Sequence, residues 1–365
     1  MIPWRKTQKT DGKPASAVLV IQLGDVGEFV PALAAAKLIR EHHMGARITL
    51  LARESMRTLA EKCPYFDVIE TDVPQAANVA STVAATAGAA AASVASPGQV
   101  QVAEQPAVVK TIARIRQAKY DIIYDLEGSS RTANYFRALR PWPPRWSGPV
   151  SGASYAYTDK ERNSLHQLDR LGAQLAVAGI GDGVLPPPDL SWLRASLRDP
   201  PRLKPDYFGI RGPYVVLLPR GSDAAPARRW APEKYEDIAR RLASHGVTPV
   251  ILGNAEERNL GAAIAAKVPQ SKNLVTRAEL FQCIGLFERA AFVVGDDVDL
   301  LHVAAAAGAP CLALLSSSAD PQKAAPRGRG GVVSLTAAVV GDLPVEQVER
   351  QLRNCGVFRP HAATA

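Results

Sequence analysis

The stretch Gly295-Asp296-Asp297-Val298-Asp299-Leu300-Leu301-His302-Val303-Ala304-Ala305-Ala306-Ala307-Gly308-Ala309-Pro310 decides the fold, because an apolar strand, an acidic turn and a small-residue helix meet in it. Ahead of it, Phe292-Val293-Val294 is an apolar run ending in a turn cluster, as expected of a strand in a parallel sheet covered on both faces. From Leu300 the residues favour helix, which puts His302 near a helix N-terminus, where backbone N–H groups and the dipole attract phosphate. Gly308 and Pro310 then stop the helix, and Cys311 to Leu315 supplies the next strand. The turn of such a unit lies at the carboxyl end of the sheet, where ligands bind. Taken locally, a phosphate site and an ordinary crossover with a surface acidic turn fit equally well.

Outside that stretch, the size of the chain comes first. Its 365 residues, 47% hydrophobic and 21% charged, are enough for two domains with substantial cores. Cys63, Cys283, Cys311 and Cys355 are scattered without a CxxC or metal-ligand spacing, so reduced thiols, a cytoplasmic protein and no metal are expected. Cys311, inside an apolar run, is expected in the core. Met1 to Pro14 is basic, but Val18-Leu19-Val20-Ile21 is too short an apolar run for a signal peptide or a membrane span. A net charge of +8 favours anionic partners such as a sugar nucleotide, a phosphorylated lipid surface or nucleic acid. With 6% aromatics and no RNA-binding motif, nucleic acid ranks last of these.

Along the chain a strand-turn-helix rhythm repeats. Ala17 to Leu23 is expected as a strand, Gly24-Asp25-Val26-Gly27-Glu28-Phe29 as a glycine-bearing turn, and Val30 to His42 as a helix. Glu28 at the mouth of that turn is either a general base or a favourable charge on a helix N-terminus. Arg47 to Leu51 and Phe66 to Glu70 are further strands. Between Asp72 and Glu104 there is no charge, and an Ala-rich insert at about residues 73–103 is expected to be a flexible loop. Helix resumes from Thr111 to Lys119, and Tyr120 to Leu126 is a strand leading into Glu127-Gly128-Ser129-Ser130-Arg131. Ser129 and Arg131 either grip an anionic or sugar group or serve as a helix N-cap and a solvated arginine. Pro141 to Trp146 is expected as a packed loop near a crevice.

The Pro-rich segment after Pro186 marks the domain boundary, giving residues 1–188 and 189–365. The second half opens with Tyr214 to Leu218 as a strand. Its following loop offers Gly221 and Ser222 as donors and Arg228 or Arg229 as charge for a diphosphate, although a solvated basic loop is the blander reading. Gly253 to Arg258 is another turn into a helix, where Glu257 holds ribose hydroxyls or simply charges the helix end. Two Rossmann-like halves result.

Several loops together resemble glycosyltransferase family 9, the bacterial ADP-heptose:lipopolysaccharide heptosyltransferases, over nearly the whole chain. Gln22 to Val30 resembles the first-loop motif R-L-G-x-x-G-D-F-V; Lys119-Tyr120-Asp121 with Asp125-Leu126-Glu127-Gly128 resembles K-Y-D and D-x-Q-G. Arg228-Arg229-Trp230 is similar to K-R-W, Leu252-Gly253 with Glu257-Arg258 to the G-G-P-x-E-R turn, and Gly295 to Pro310 to G-N-D-T-G-P-x-H-L-A-A-A-x-G-x-P. The resemblance implies an α/β, GT-B type fold with two Rossmann-like domains facing a central cleft, the first acceptor-side and the second binding the nucleotide sugar. It implies inverting transfer without a metal or other cofactor, from an ADP-sugar donor to a lipopolysaccharide core or other glycan acceptor, with peripheral contact at the inner membrane. It implies Glu28 as catalytic base, Arg228 as phosphate ligand, Glu257 on the nucleoside, and Asp297 and His302 at the diphosphate. Ser129 and Arg131 remain acceptor-side candidates. The chain departs from the family where Val298 replaces a hydroxyl-bearing residue and Asp299-Leu300 replaces Gly-Pro. A degenerate member that binds nucleotide or glycan without turnover is therefore the alternative. A nucleotide-sugar epimerase and an NAD-dependent dehydrogenase rank lower, the second for want of the third fingerprint glycine.

Overall fold

The computed structural model describes residues 14–72, 97–198, 200–220 and 228–358, and among these no helix is long and apolar enough to cross a membrane. The chain divides into two compact units that meet in sequence at Pro186 and Pro187.

In the first unit β1 (Ala17–Gln22), α1 (Val26–His42), β2 (Arg47–Arg53), α2 (Arg57–Ala60) and β3 (Val68–Asp72) come first. They are followed by α3 (Pro97–Ala118), β4 (Ile122–Asp125), α4 (Ser130–Ala138), β5 (Arg145–Gly148), β6 (Tyr155–Ala156) and α5 (Gln167–Val177). All strand pairs are parallel, in the order β3-β2-β1-β4-β5-β6. Val18 to Ile21 are buried without a polar interruption, as a central strand covered on both faces requires. On one face of the sheet Leu19, Ile21 and Ile123 pack with Tyr135, Phe136 and Trp146.

Three expectations for this half need correction. The helix expected from Val30 begins at Val26, so Glu28 stands in its first turn and not in a loop. The Asp25 carbonyl accepts the N–H groups of Glu28 and Phe29 and so starts the helix ahead of Pro31, its sixth residue, which lacks the N–H that would bond to Gly27. The helix expected from Thr111 begins at Pro97, where a proline lacks only an N–H that the first turn leaves unpaired; residues 73–96 of the expected insert lie outside the described residues. The Pro141 to Trp146 segment is not packed throughout, since Trp146 is buried in β5 whereas Trp142 is 89% exposed.

The second unit contains α6 (Trp192–Leu197), β7 (Tyr214–Leu218), α7 (Pro232–Ser244), β8 (Thr248–Ile251), α8 (Arg258–Lys267), β9 (Lys272–Asn273) and α9 (Leu280–Phe287). It continues with β10 (Phe292–Gly295), α10 (Val298–Ala307), β11 (Cys311–Ser316), α11 (Pro321–Ala324), β12 (Val332–Ala337) and α12 (Val345–Asn354). Its parallel order, β12-β11-β10-β7-β8-β9, repeats that of the first sheet strand for strand. In both, the order reverses beside the first strand, between β1 and β4 and between β7 and β10. Open parallel sheets bind ligands at such a reversal, outside the carboxyl ends of the strands. Cys311 is fully buried in β11, as expected from its apolar neighbours.

Close approach of β7 and β10 depends on a glycine. Gly295 pairs with Leu218, and a Cβ there would stand 2.6 Å from the Leu218 Cβ and 2.9 Å from its carbonyl carbon. Gly295→Ala should therefore lower stability to urea by about 1–3 kcal/mol, the usual cost of overpacking a filled interior.

Candidate active site

At the reversal of the second sheet the organising group is Asp296, which is 2% exposed. Its Oδ1 accepts the Arg220 N–H at 2.8 Å and the Tyr235 hydroxyl at 2.6 Å, and its Oδ2 accepts the Trp230 N–H at 2.6 Å. The carbonyl of the same residue accepts from Arg220 Nε at 3.0 Å. One carboxylate thus holds both described ends of the β7–α7 loop against the end of β10. Burial raises its pKa, and the bonds from Tyr235, Trp230 and Arg220 oppose that rise. Trp230 and Tyr235 meet edge to face at 4.9 Å beneath it.

The next residue, Asp297, caps α10 by accepting the N–H groups of Asp299 at 3.2 Å and Leu300 at 3.4 Å. The helix therefore starts at Val298, two residues before the position expected from sequence, because an Asp at the N-cap satisfies its first donors. Burial and then the nearby Asp299 charge push the Asp297 carboxyl up to about 7, while Arg220 opposes the shift. His302 lies one turn into α10 and is 9% exposed. On the other side of β7, Glu257 is buried, and its Oε2 accepts the Asn254 N–H at 2.6 Å in a capping box. It is still close enough to act electrostatically on Asp297. Arg228 is exposed just ahead of Trp230. Glu257, Asp297 and His302 thus share one end of one sheet; Gly221 and Ser222 lie outside the described residues.

In the first unit Glu28 is exposed in the first turn of α1 and folds back over Gly24, where a Cβ would come 2.6 Å from the Glu28 Cβ. Gly253 and Glu257 repeat the arrangement, a Cβ at Gly253 falling 3.0 Å from that of Glu257. A bare glycine at each turn leaves room for the carboxylate four residues on. Gln167 of α5 donates to the Glu28 carbonyl at 2.8 Å and fixes this turn from outside. Across the reversal, Glu127 Oε2 accepts the Leu23 N–H at 3.0 Å.

Ser129 and Arg131 take structural positions. Ser129 is the N-cap of α4, accepting the Thr132 N–H, and Arg131 pairs with the buried Asp72 at 2.6 Å while its Nε donates to the Tyr135 hydroxyl at 2.8 Å. Asp125, at the end of β4, is fully buried, accepts the Gly128 N–H at 2.8 Å, and has no hydrogen-bond partner at Oδ2. Burial pushes its carboxyl up to about 7. Sequence reasoning passed over Asp296, Arg220 and Tyr235. The available signal was an acid directly after a buried strand, where a carboxylate must find donors.

Two parallel sheets of Rossmann type, each with an acidic turn at its reversal, define a two-unit α/β class of architecture. The family model for glycosyltransferase family 9 (heptosyltransferase) matches residues 108–338, and the chain belongs to that family. Lipopolysaccharide heptosyltransferase 2 of Salmonella typhimurium is 31% identical over 111 residues, 29% of this chain. That match spans 32%, about a third, of the relative's own length. Among solved structures, E. coli ADP-heptose lps heptosyltransferase II superposes with a TM-score of 0.68 at 18% identity, covering 95% of this chain and 100% of its own. E. coli heptosyltransferase WaaC with ADP gives 0.66 at 16%, covering 93% and 99%. The fold is accordingly of GT-B type.

Two outcomes follow from the carboxylates. Asp296→Ala strands the Tyr235 hydroxyl and two N–H groups, and should cost at least about 3 kcal/mol in urea unfolding, against about 1 kcal/mol for Tyr235→Phe. Asp125 binds its proton more tightly folded than unfolded, so its contribution is complete below about pH 4 and lost as pH rises through about 7. Asp125→Asn, which keeps an acceptor for Gly128, should flatten the fall in melting temperature between about pH 5 and 8.

Proposed function

We propose that this chain is an inverting glycosyltransferase that moves a heptose or related sugar from an ADP-sugar to a lipopolysaccharide core or other glycan acceptor, working in the cytoplasm with peripheral contact at the inner membrane. The observation that supports this most is the carboxylate of Glu28, exposed at the reversal of the first sheet, on a chain whose second sheet ends in a helix N-terminus flanked by Arg220. Family membership and the ADP named with a solved structure of similar fold point the same way.

In this mechanism Glu28 removes the proton of the acceptor hydroxyl as its oxygen attacks the anomeric carbon. The bond from that carbon to the diphosphate breaks on the opposite face, which inverts the configuration, and ADP leaves as an anion. Arg228 and the positive end of the α10 dipole offset its charge, the N–H groups of Asp299 and Leu300 being already held by Asp297. Glu257 orients the nucleoside. Arg220, tethered by Asp296, adds a guanidinium beside a turn in which Val298 supplies no hydroxyl and Asp299 adds a like charge to the phosphates. That pair of substitutions favours a second reading, a protein that binds nucleotide without turnover.

Transfer or donor hydrolysis by purified protein across a panel of nucleotide sugars separates the two. Glu28→Ala should lower kcat by about 10²–10⁴-fold with donor affinity kept, and Glu28→Asp should retain more activity. Arg228→Ala should cost about 10–100-fold through the leaving group. Wild-type rates untouched by Glu28→Ala would exclude it as the base, and nucleotide binding without turnover on every donor would select the second reading.

A further inference from the structure

The mechanism above gives no task to the buried amide of Gln22. This residue closes β1 after the apolar run Val18 to Ile21, pairs with Ala52 of β2, and is 3% exposed. Its Oε1 is buried with no hydrogen-bond partner among the described residues. Such an atom weakens a fold, and an apolar side chain of the same length would fill the position without that cost. What the amide supplies instead is a donor. A Cβ at Gly24 would stand 2.9 Å from Gln22 Nε2 and would overlap Glu28 Oε2, so the amide nitrogen and the carboxylate oxygen share the space above that glycine.

The charged groups around this turn engage one another or the backbone. Asp25 pairs with Arg53 at 3.1 Å, and Arg53 Nε also donates to the Leu23 carbonyl. Glu127 accepts the Leu23 N–H at 3.0 Å and feels the charges of Arg53, Arg170 and Asp25. From α5, Gln167 donates to the Glu28 carbonyl at 2.8 Å. An uncharged donor orients a carboxylate, whereas a cation in its place lowers the carboxyl pKa by about 1–3 units and weakens it as a base. Both members of the pair depart from the first-loop pattern R-L-G-x-x-G-D-F-V, with Gln22 for Arg and Glu28 for Asp. The acid is longer by a methylene and its neighbour is uncharged, at the two side chains that meet over Gly24.

We infer that Gln22 is a positioning residue for Glu28: its amide N–H groups orient the carboxylate over Gly24 without adding the charge that would weaken it as a base. The catalytic consequence rests on Glu28 being the base. The unpartnered Oε1 is then the structural cost of a donor placed under the carboxylate.

Titration of the Glu28 carboxyl in the full-length protein tests the pairing, by carbon NMR of protein labelled at the glutamate carboxyl, with the resonance assigned through Glu28→Gln. Gln22→Met, which removes the donor, should raise the Glu28 pKa by about one unit, and Gln22→Lys, which adds a charge, should lower it by about one unit. Gln22→Met should also melt no lower than wild type, since it removes an unpartnered buried oxygen. Shifts of the same sign in both variants, or none in either, would overturn the inference, and a lower melting temperature without a shift would mark the amide as structural. ADP release from ADP-heptose gives the catalytic readout: the acid limb of kcat should follow the same two shifts, with KM for the donor within about twofold of wild type. A limb that stays fixed while the NMR titration moves would reject Glu28 as the base and keep the pairing. No ADP release by the wild type would sink the transferase reading, with the titration still read independently.

Discussion

A single buried carboxylate fixes the geometry of the second unit. Asp296 draws the backbone of Arg220, the backbone of Trp230 and the hydroxyl of Tyr235 onto two oxygens, and every one of those donors belongs to the β7–α7 segment. A buried acid without such partners would be costly, so the loop has little freedom to leave once β10 is in place. The chain direction after β10, the start of α10 and the position of Arg220 all follow from that constraint. Asp297 can cap α10 because its neighbour is already spent on the loop.

The strands were the most legible part of the sequence. Tyr214 to Leu218 and Phe292 to Val294 are short, continuous apolar runs bounded by turn residues, and they form β7 and most of β10. Helix starts were less legible, and for a physical reason. At α1 the glycine-bearing run Gly24 to Phe29 reads as turn although its second half is already helical, and at α10 the cap is an Asp within a run of three acids spaced too closely to rank by pattern. The site divided in the same way. Glu28, Asp297, His302 and Glu257 stood out because they follow strands in ordered motifs. Asp296 did not, because what distinguishes it is three donors that arrive from residues 61 to 76 positions away. Ser129 and Arg131 show the opposite limit, since their residue types suit a ligand and a helix cap alike. Only the partners, Thr132 and Asp72, show which task each performs in the fold.

The two sheets share one strand order, and their first turns share one device, a glycine covered by a glutamate four residues on. In the second unit that glutamate is buried in a capping box, whereas in the first it is exposed. The same local geometry thus buries a carboxylate in one half and leaves it exposed to solvent in the other. What differs is solvent exposure, not the residue or its spacing.

Among the described residues each sheet also completes its own hydrogen-bond ladder, with no strand supplied by the other unit. A change at the head of α10, such as the Val298-Asp299-Leu300 sequence, therefore leaves the register that holds Glu28 intact. The halves are modular, and selection can retune one while the other stays constant. A chain built this way can alter the loops at the end of one sheet without disturbing the strand pairing of the other.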